Sequence, residues 1–176
     1  GTLTAFVDIG TAPPISNTGT AANSIVAATT NSPNAGTHGI WIDELDDVTL
    51  TNVTTVDGLI RIQTAGLTNA INVAASGAGR NATVIAASGN IDVTSVSSAT
   101  GNVNLTATTG AITDANGIGN NITAVGLTAL AALGIDLDTT VTNLTATNTG
   151  LGNINLDELD SANVLNVAAT NGNATV

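Results

Sequence analysis

The chain has 176 residues and a formal net charge of −11, with two Lys+Arg against 13 Asp+Glu. Two cations cannot neutralise a phosphate backbone and an anionic lipid surface repels such a chain, so nucleic-acid and membrane-surface binding are excluded. No Cys, Met or Tyr, one Trp and one Phe exclude disulfide stapling and an aromatic core, while 43% hydrophobic residues is too many for a disordered chain.

A core one side chain thick, enclosed by a winding chain, can be filled by Val, Ile, Leu and Ala alone, which points to a solenoid rather than a globular enzyme. No apolar run reaches the length of a membrane helix, and no basic-plus-apolar secretory start is present. Gly1 stands where an initiator Met would, so a processed chain or a fragment is expected.

Residues 1–37 read as an irregular N-terminal strand and loops, a cap or joining segment. Leu3-Thr4-Ala5-Phe6-Val7-Asp8-Ile9 has strand character, and Thr2 to Ile9 is a candidate donor strand for a neighbour's edge. Pro13-Pro14 and Pro33 mark loops. Residues 38–176 read as a β-helix. Apolar alternations begin at Ile40, Val48, Leu59, Ile71, Thr83, Ile91, Val103, Ile122, Ile135, Val141, Ile154, Val164 and Ala174. Every second one pairs at a spacing near twenty: Ile71 with Ile91, Thr83 with Val103, Ile122 with Val141, Ile135 with Ile154. The expectation is an all-β parallel β-helix of about 20 residues per coil, eight or nine coils and a rod of roughly 40 Å. Thr128 to Leu133 has the composition of a helical turn but fits better as an Ala-rich coil wall.

One phrase recurs: Gly89-Asn90-Ile91-Asp92-Val93, Gly101-Asn102-Val103-Asn104-Leu105 and Gly152-Asn153-Ile154-Asn155-Leu156. Each is a bend followed by a short strand whose alternate side chains face one interior. Gly supplies positive φ at bends and Asn bonds locally or ladders with its counterpart one coil away. A longer repeat lies above it. Ile42-Asp43-Glu44-Leu45-Asp46-Asp47-Val48 returns as Leu156-Asp157-Glu158-Leu159-Asp160-Ser161-Ala162, an offset of 114 residues (42 to 156). Its second copy is incomplete at Val176, which suggests a segment of something longer or a polymerising unit.

The stretches Gly101 to Thr113 and Gly134-Ile135-Asp136-Leu137-Asp138 resemble the β-strand repeats of giant bacterial surface proteins, the filamentous-haemagglutinin-like and autotransporter-like adhesins. The resemblance covers about Ile40 to Val176. It implies a right-handed parallel β-helix, export to a bacterial cell surface, and a role in adhesion, matrix or fibre formation. It transfers no binding residue.

The candidate site residues are acidic. Asp43, Glu44, Asp46 and Asp47 crowd one bend, Asp157, Glu158 and Asp160 crowd its copy, and Asp136 and Asp138 flank Leu137 on one strand face. Hard cations take carboxylate and turn-carbonyl oxygens, so Ca²⁺ is the cofactor this pattern suggests; a solvated acidic bend is the plainer reading, since no EF-hand or RTX spacing is present. Catalysis lacks its parts. Arg61 and Arg80 are the only strong bases, His38 the only imidazole, and Trp41 is expected to point outward between Ile40 and Ile42 as a contact residue. Thr-x-Thr pairs such as Thr106/Thr108 and Thr145/Thr147 skip coils and form no unbroken ice-binding row, and Asn-x-Thr sequons at Asn52, Asn81, Asn104, Asn121, Asn143 and Asn173 follow from composition. The function expected is structural and not enzymatic: part of an extracellular fibre, sheath or giant surface protein that stacks end to end with copies of itself or adjoining repeats. The alternative is an adhesin module that grips a glycan or host surface through its turns.

Overall fold

The computed structural model describes residues 2–3, 23–29 and 39–176. Among these residues all regular structure is β, with seventeen strands and no helix. In chain order they are β1 Thr2–Leu3, β2 Ser24–Ala28, β3 Gly39–Glu44, β4 Val48–Thr54, β5 Leu59–Thr64 and β6 Thr68–Ala70. Then come β7 Val73–Ala75, β8 Ala82–Ala86, β9 Ile91–Val93, β10 Val96–Ser98, β11 Asn102–Ala107 and β12 Ile112–Asp114. The last are β13 Ile122–Ala131, β14 Ile135–Leu151, β15 Ile154–Glu158, β16 Asn163–Asn171 and β17 Ala174–Thr175.

Every pairing is parallel, and each strand lies on one from the coil before. The chain is a parallel β-solenoid of about seven turns, with coils about 21 residues apart. It has three faces. On the first, Ile40, Ile60, Ala82, Val103, Leu127, Leu144 and Val164 stack in one inward column. On the second the column is Val48, Thr68, Ile91, Ile112, Ile135, Ile154 and Ala174. On the third it is Ala27, Val53, Val73, Val96, Ile122, Thr139 and Glu158. Period-two alternation sends these side chains inward from all three faces, so small aliphatics close one continuous core.

Coil length varies because corners vary. Down the first face the steps are 20 residues (Gly39 to Leu59), 22 (Ile60 to Ala82), 21 (Ala82 to Val103), 24 (Val103 to Leu127), 17 (Leu127 to Leu144) and 20 (Leu144 to Val164). The loop between Asp114 and Ile122 lengthens one coil. The next is short because β14 runs along all three faces without a separate bend.

Several expectations need correction. The coils number about seven, not eight or nine. Ile71 does not lie under Ile91; it is a corner residue, 42% exposed, and Ile91 stacks on Thr68. Thr83 meets Asn104, one position past Val103, and Ile122 meets Thr139 rather than Val141. Ile135 does meet Ile154. The strands at Val96 and Ile112 are absent from the sequence reading, because each carries a single aliphatic residue and shows no alternation, whereas Ile91–Val93, equally short, carries two. Thr128 to Ala131 is strand, as the coil-wall reading required.

At the N-terminal end, Thr2 and Leu3 pair with Ser24 and Ile25 of the same chain, so those two residues already extend this stack. Residues 4–9, His38, Pro13, Pro14 and Pro33 lie outside the described residues. Trp41 aligns with Arg61 and stands outside the core cluster, as alternation demands, but it is only 7% exposed: the expected open contact residue is covered.

Candidate functional site

The recurring Gly-Asn phrase is the device that joins one coil to the next. At the corner leading to the second face, Asn90 Oδ1 accepts the Ala111 N–H one coil on (2.9 Å), and Asn153 Oδ1 accepts that of Asn173 (3.0 Å). Asp47 Oδ1 does the same for Leu67 N–H at 2.7 Å. At the corner leading to the first face, Asn81 Oδ1 accepts Asn102 N–H (2.8 Å), and before the third face Asn121 Oδ1 accepts Asp138 N–H (2.7 Å). Each acceptor satisfies an amide that the bend takes out of the strand ladder.

The glycine is steric. A Cβ on Gly110 would stand 2.0 Å from Gly89 O, and one on Gly172 the same distance from Gly152 O. On Gly152 it would meet Leu133 O at 2.3 Å. At these three corners a side chain would hold the coils apart.

Among the described residues the last coil, with β16 and β17, has a neighbour on one side. Val164 is 50% exposed, whereas the other members of its column are between 0% and 2% exposed. Leu159, Leu165, Leu151 and Val176 are also exposed, and Asn173 lies open at the corner. Leu165 is an extra residue in β16, where register shifts between Leu144 and Thr145. The first described coils differ. Ile25, Ala27, Ile40 and Ile42 are at most 3% exposed.

Strand alternation disperses the acidic residues. Asp43 faces outward on β3, Glu44 is buried with Oε1 accepting the Leu45 N–H (3.1 Å), Asp47 is a corner acceptor and Asp46 is exposed. In the second copy Asp157 is exposed, while Glu158 turns inward: Oε2 accepts from Thr139 Oγ1 (2.7 Å) and Oε1 from Val141 N–H (3.1 Å). Glu158 thus takes the part of a strand carbonyl where the chain leaves the third face. Asp160 borders a shallow groove with Thr140 and Thr142. The two copies occupy different corners, since Ile42 lies in a column that leads to Val167, not Leu156.

Asp138 pairs in register with Asp157, two residues along from Asp136 over Asn155. Burial, then the charges of Asp114, Asp157 and Asp136, raise the Asp138 pKa. Burial also pushes Asp114 upward, but hydrogen bonds from Asn121, Asn116 and Gly117 outweigh it and leave that carboxyl below its usual value. Asp138, Asp157 and Glu158 line a cleft of about 530 Å³ with Leu156, Leu159, Val176 and the loop residues Gly117 and Ile118. Among the described residues no three His, Asp or Glu side chains converge as an ion-holding group.

Arg80 Nε is paired with Asp57 Oδ1 at 2.8 Å and Arg61 donates to Gln63 Oε1 at 3.2 Å. Two residues escaped the sequence reading. Asn121, 1% exposed, donates to Val93 O and Asp114 Oδ1 (2.8 Å each) while accepting from Asp138. Asn148, fully buried, accepts from Gly134 N–H and donates to the Gly152 carbonyl. Both look like ordinary polar residues in so Asn-rich a chain. The sequons share this employment: Asn121 is buried, and Asn52, Asn81 and Asn104 bond neighbouring coils.

The fold defines the class: a parallel β-solenoid whose coils are joined by glycine and Asx corners. No family model matches the chain, and no curated protein or solved structure matches it.

Proposed function

We propose that the chain is a structural, non-enzymatic element of an extracellular fibre, sheath or giant bacterial surface protein, joined end to end through its C-terminal coil. One observation carries this reading: the same glycine and Asx corner recurs from coil to coil, so the stack lengthens by repeating one joint. Each added coil covers the aliphatic column of the one before it. The style of the repeats supports the surface location. Electron micrographs of the purified protein are the test. Rods joined end to end are expected, and Val164→Glu should return single rods of unchanged circular dichroism. Wild-type rods that stay single at every concentration would overturn self-joining and leave the adhesin alternative, for which the wholly exposed Ile118 loop is the grip. Divalent cations, Ca²⁺ first, belong to the same proposal at the Asp136, Asp138 and Asp157 row; a melting midpoint lowered by chelator would support them and an unmoved one would remove them.

A further inference from the structure

We infer that the first face carries a binding site for a neutral sugar, one pyranose unit of a glycan, in a hollow over Gly126. The site lies on the side of the stack, so it stands or falls apart from the joining reading above.

The hollow comes from a gap in a column. Asn102, Gly126, Asn143 and Asn163 stack in register at the corner where the chain enters the first face. Gly126 therefore leaves the space of a side chain between two amides. Nothing in the backbone asks for glycine there. Its φ is not in the left-handed region, and an added Cβ would meet the Asn102 side chain, with Oδ1 at 2.7 Å and the nearest backbone atom, Asn143 O, at 3.7 Å. At Gly110 and Gly172 the obstacle is backbone at 2.0 Å. β13 is flanked by β11 on one side and β14 on the other, so the gap lies inside the stack. The hollow has a volume of about 340 Å³, and Asn102, Thr128, Asn143, Thr145 and Leu165 surround Gly126 in it. That is at the small end for a ligand site.

Its polar groups are unspent. Elsewhere on the outer faces amides and hydroxyls bond one another across coils, as Asn104 does to Thr83 and Thr113 to Asp92. The Asn102 and Asn143 amides and the Thr128 and Thr145 hydroxyls make no such bond to any described residue. Each of these groups both donates and accepts, which is what adjacent sugar hydroxyls also do. No charged side chain borders the hollow, so nothing there offsets the desolvation of an ion, and the ligand that fits is neutral. Leu165 supplies an apolar rim. It is the extra residue of the β16 register shift, and a bulge re-aims a side chain in this way. The C–H face of a pyranose matches such a group. With no aromatic platform and one side open to solvent, the affinity expected is millimolar.

The test is titration of the intact chain with maltotriose, cellotriose, chitotriose and mannotriose, followed by the NMR side-chain amide signals of Asn102 and Asn143. At least one sugar should move both signals at millimolar concentration. The signal of Asn155, an exposed amide on the second face, should stay in place. Asn143→Ala and Thr128→Val should each weaken the affinity about tenfold by removing a hydrogen-bonding group. Gly126→Asn should abolish binding by filling the hollow, at an unchanged melting midpoint, because only the Asn102 side chain has to turn aside. The first two variants add no bulk and decide the matter even if Gly126→Asn does not fold. Four sugars that leave both signals unmoved would overturn the site. So would shifts that survive these substitutions, or that appear equally at Asn155.

Discussion

Asn121 is where one side chain does the most across coils. Its amide bonds Val93 O in one coil, Asp114 Oδ1 in the next and Asp138 N–H beyond, all from a site with 1% exposure. Asn121→Ala strands those partners and should cost about 2–3 kcal/mol, read as a shift in urea midpoint at constant m. Asn121→Asp keeps the shape but places a second carboxylate within hydrogen-bonding distance of Asp114, so at pH 7 it should be the worse of the two. The sign of its pH response follows from linkage. The crowded pair is driven to hold a proton that the unfolded chain releases, so the folded state binds more protons and the deficit shrinks as pH falls towards 4.5. Wild-type Asp114 behaves oppositely: its lowered pKa gives a contribution present above the ordinary carboxylate range and lost as pH falls through its folded value. A deficit for Asn121→Asp that is the same at pH 7 and 4.5 would show that the two carboxylates do not meet.

Between one bend and the next, the element that decides folding is the corner. Gly110 and Gly79 separate two reasons for glycine. Gly79 has φ +67° with nothing within 4 Å of an added Cβ, so Gly79→Ala meets backbone strain only and should cost about 1 kcal/mol. Gly110 has room for no Cβ at all, and Gly110→Ala should cost about 3 kcal/mol or more by prising apart two coils. Equal thermal shifts for the two variants would refute the steric account. The corner also marks how far the sequence could be read. Gly89-Asn90-Ile91 was legible as bend plus strand because glycine, Asx and an aliphatic each fix one feature of local geometry. Which strand lay over which was legible only where the corners between were of equal length, as from Ile135 to Ile154. The inserted loop before Ile122 and the unbroken β14 shift the register by residues that carry no hydrophobic signal. Alternation likewise scattered Asp43, Glu44 and Asp47 to different surroundings, which their crowding in sequence concealed, and Trp41 is covered although alternation turns it outward.

For the whole molecule, a stack in which each coil touches only its neighbours should not open uniformly. Stability in such a chain is close to a sum of coil and interface contributions, so a coil with one interface is the first to detach. The interior coils from β8 to β11 have their inward residues fully buried and a neighbour on either side. β16 has a neighbour on one side, two register shifts and exposed inward residues. Loss of an interface worth about 3 kcal/mol corresponds to roughly a hundredfold difference in opening. Amide hydrogen exchange should therefore be about a hundred times faster in Asn163–Asn171 than in Ala82–Ala86 or Asn102–Ala107, with the intermediate coils graded between. The first described coils, whose inward residues are buried, should exchange more slowly than the last. Joining then has a direct signature: at concentrations where rods assemble, protection in β16 should rise towards that of the interior while β8 is unchanged. Uniform protection from one end to the other would mean that the stack opens as a single cooperative unit, and the open coil would have no special part in it.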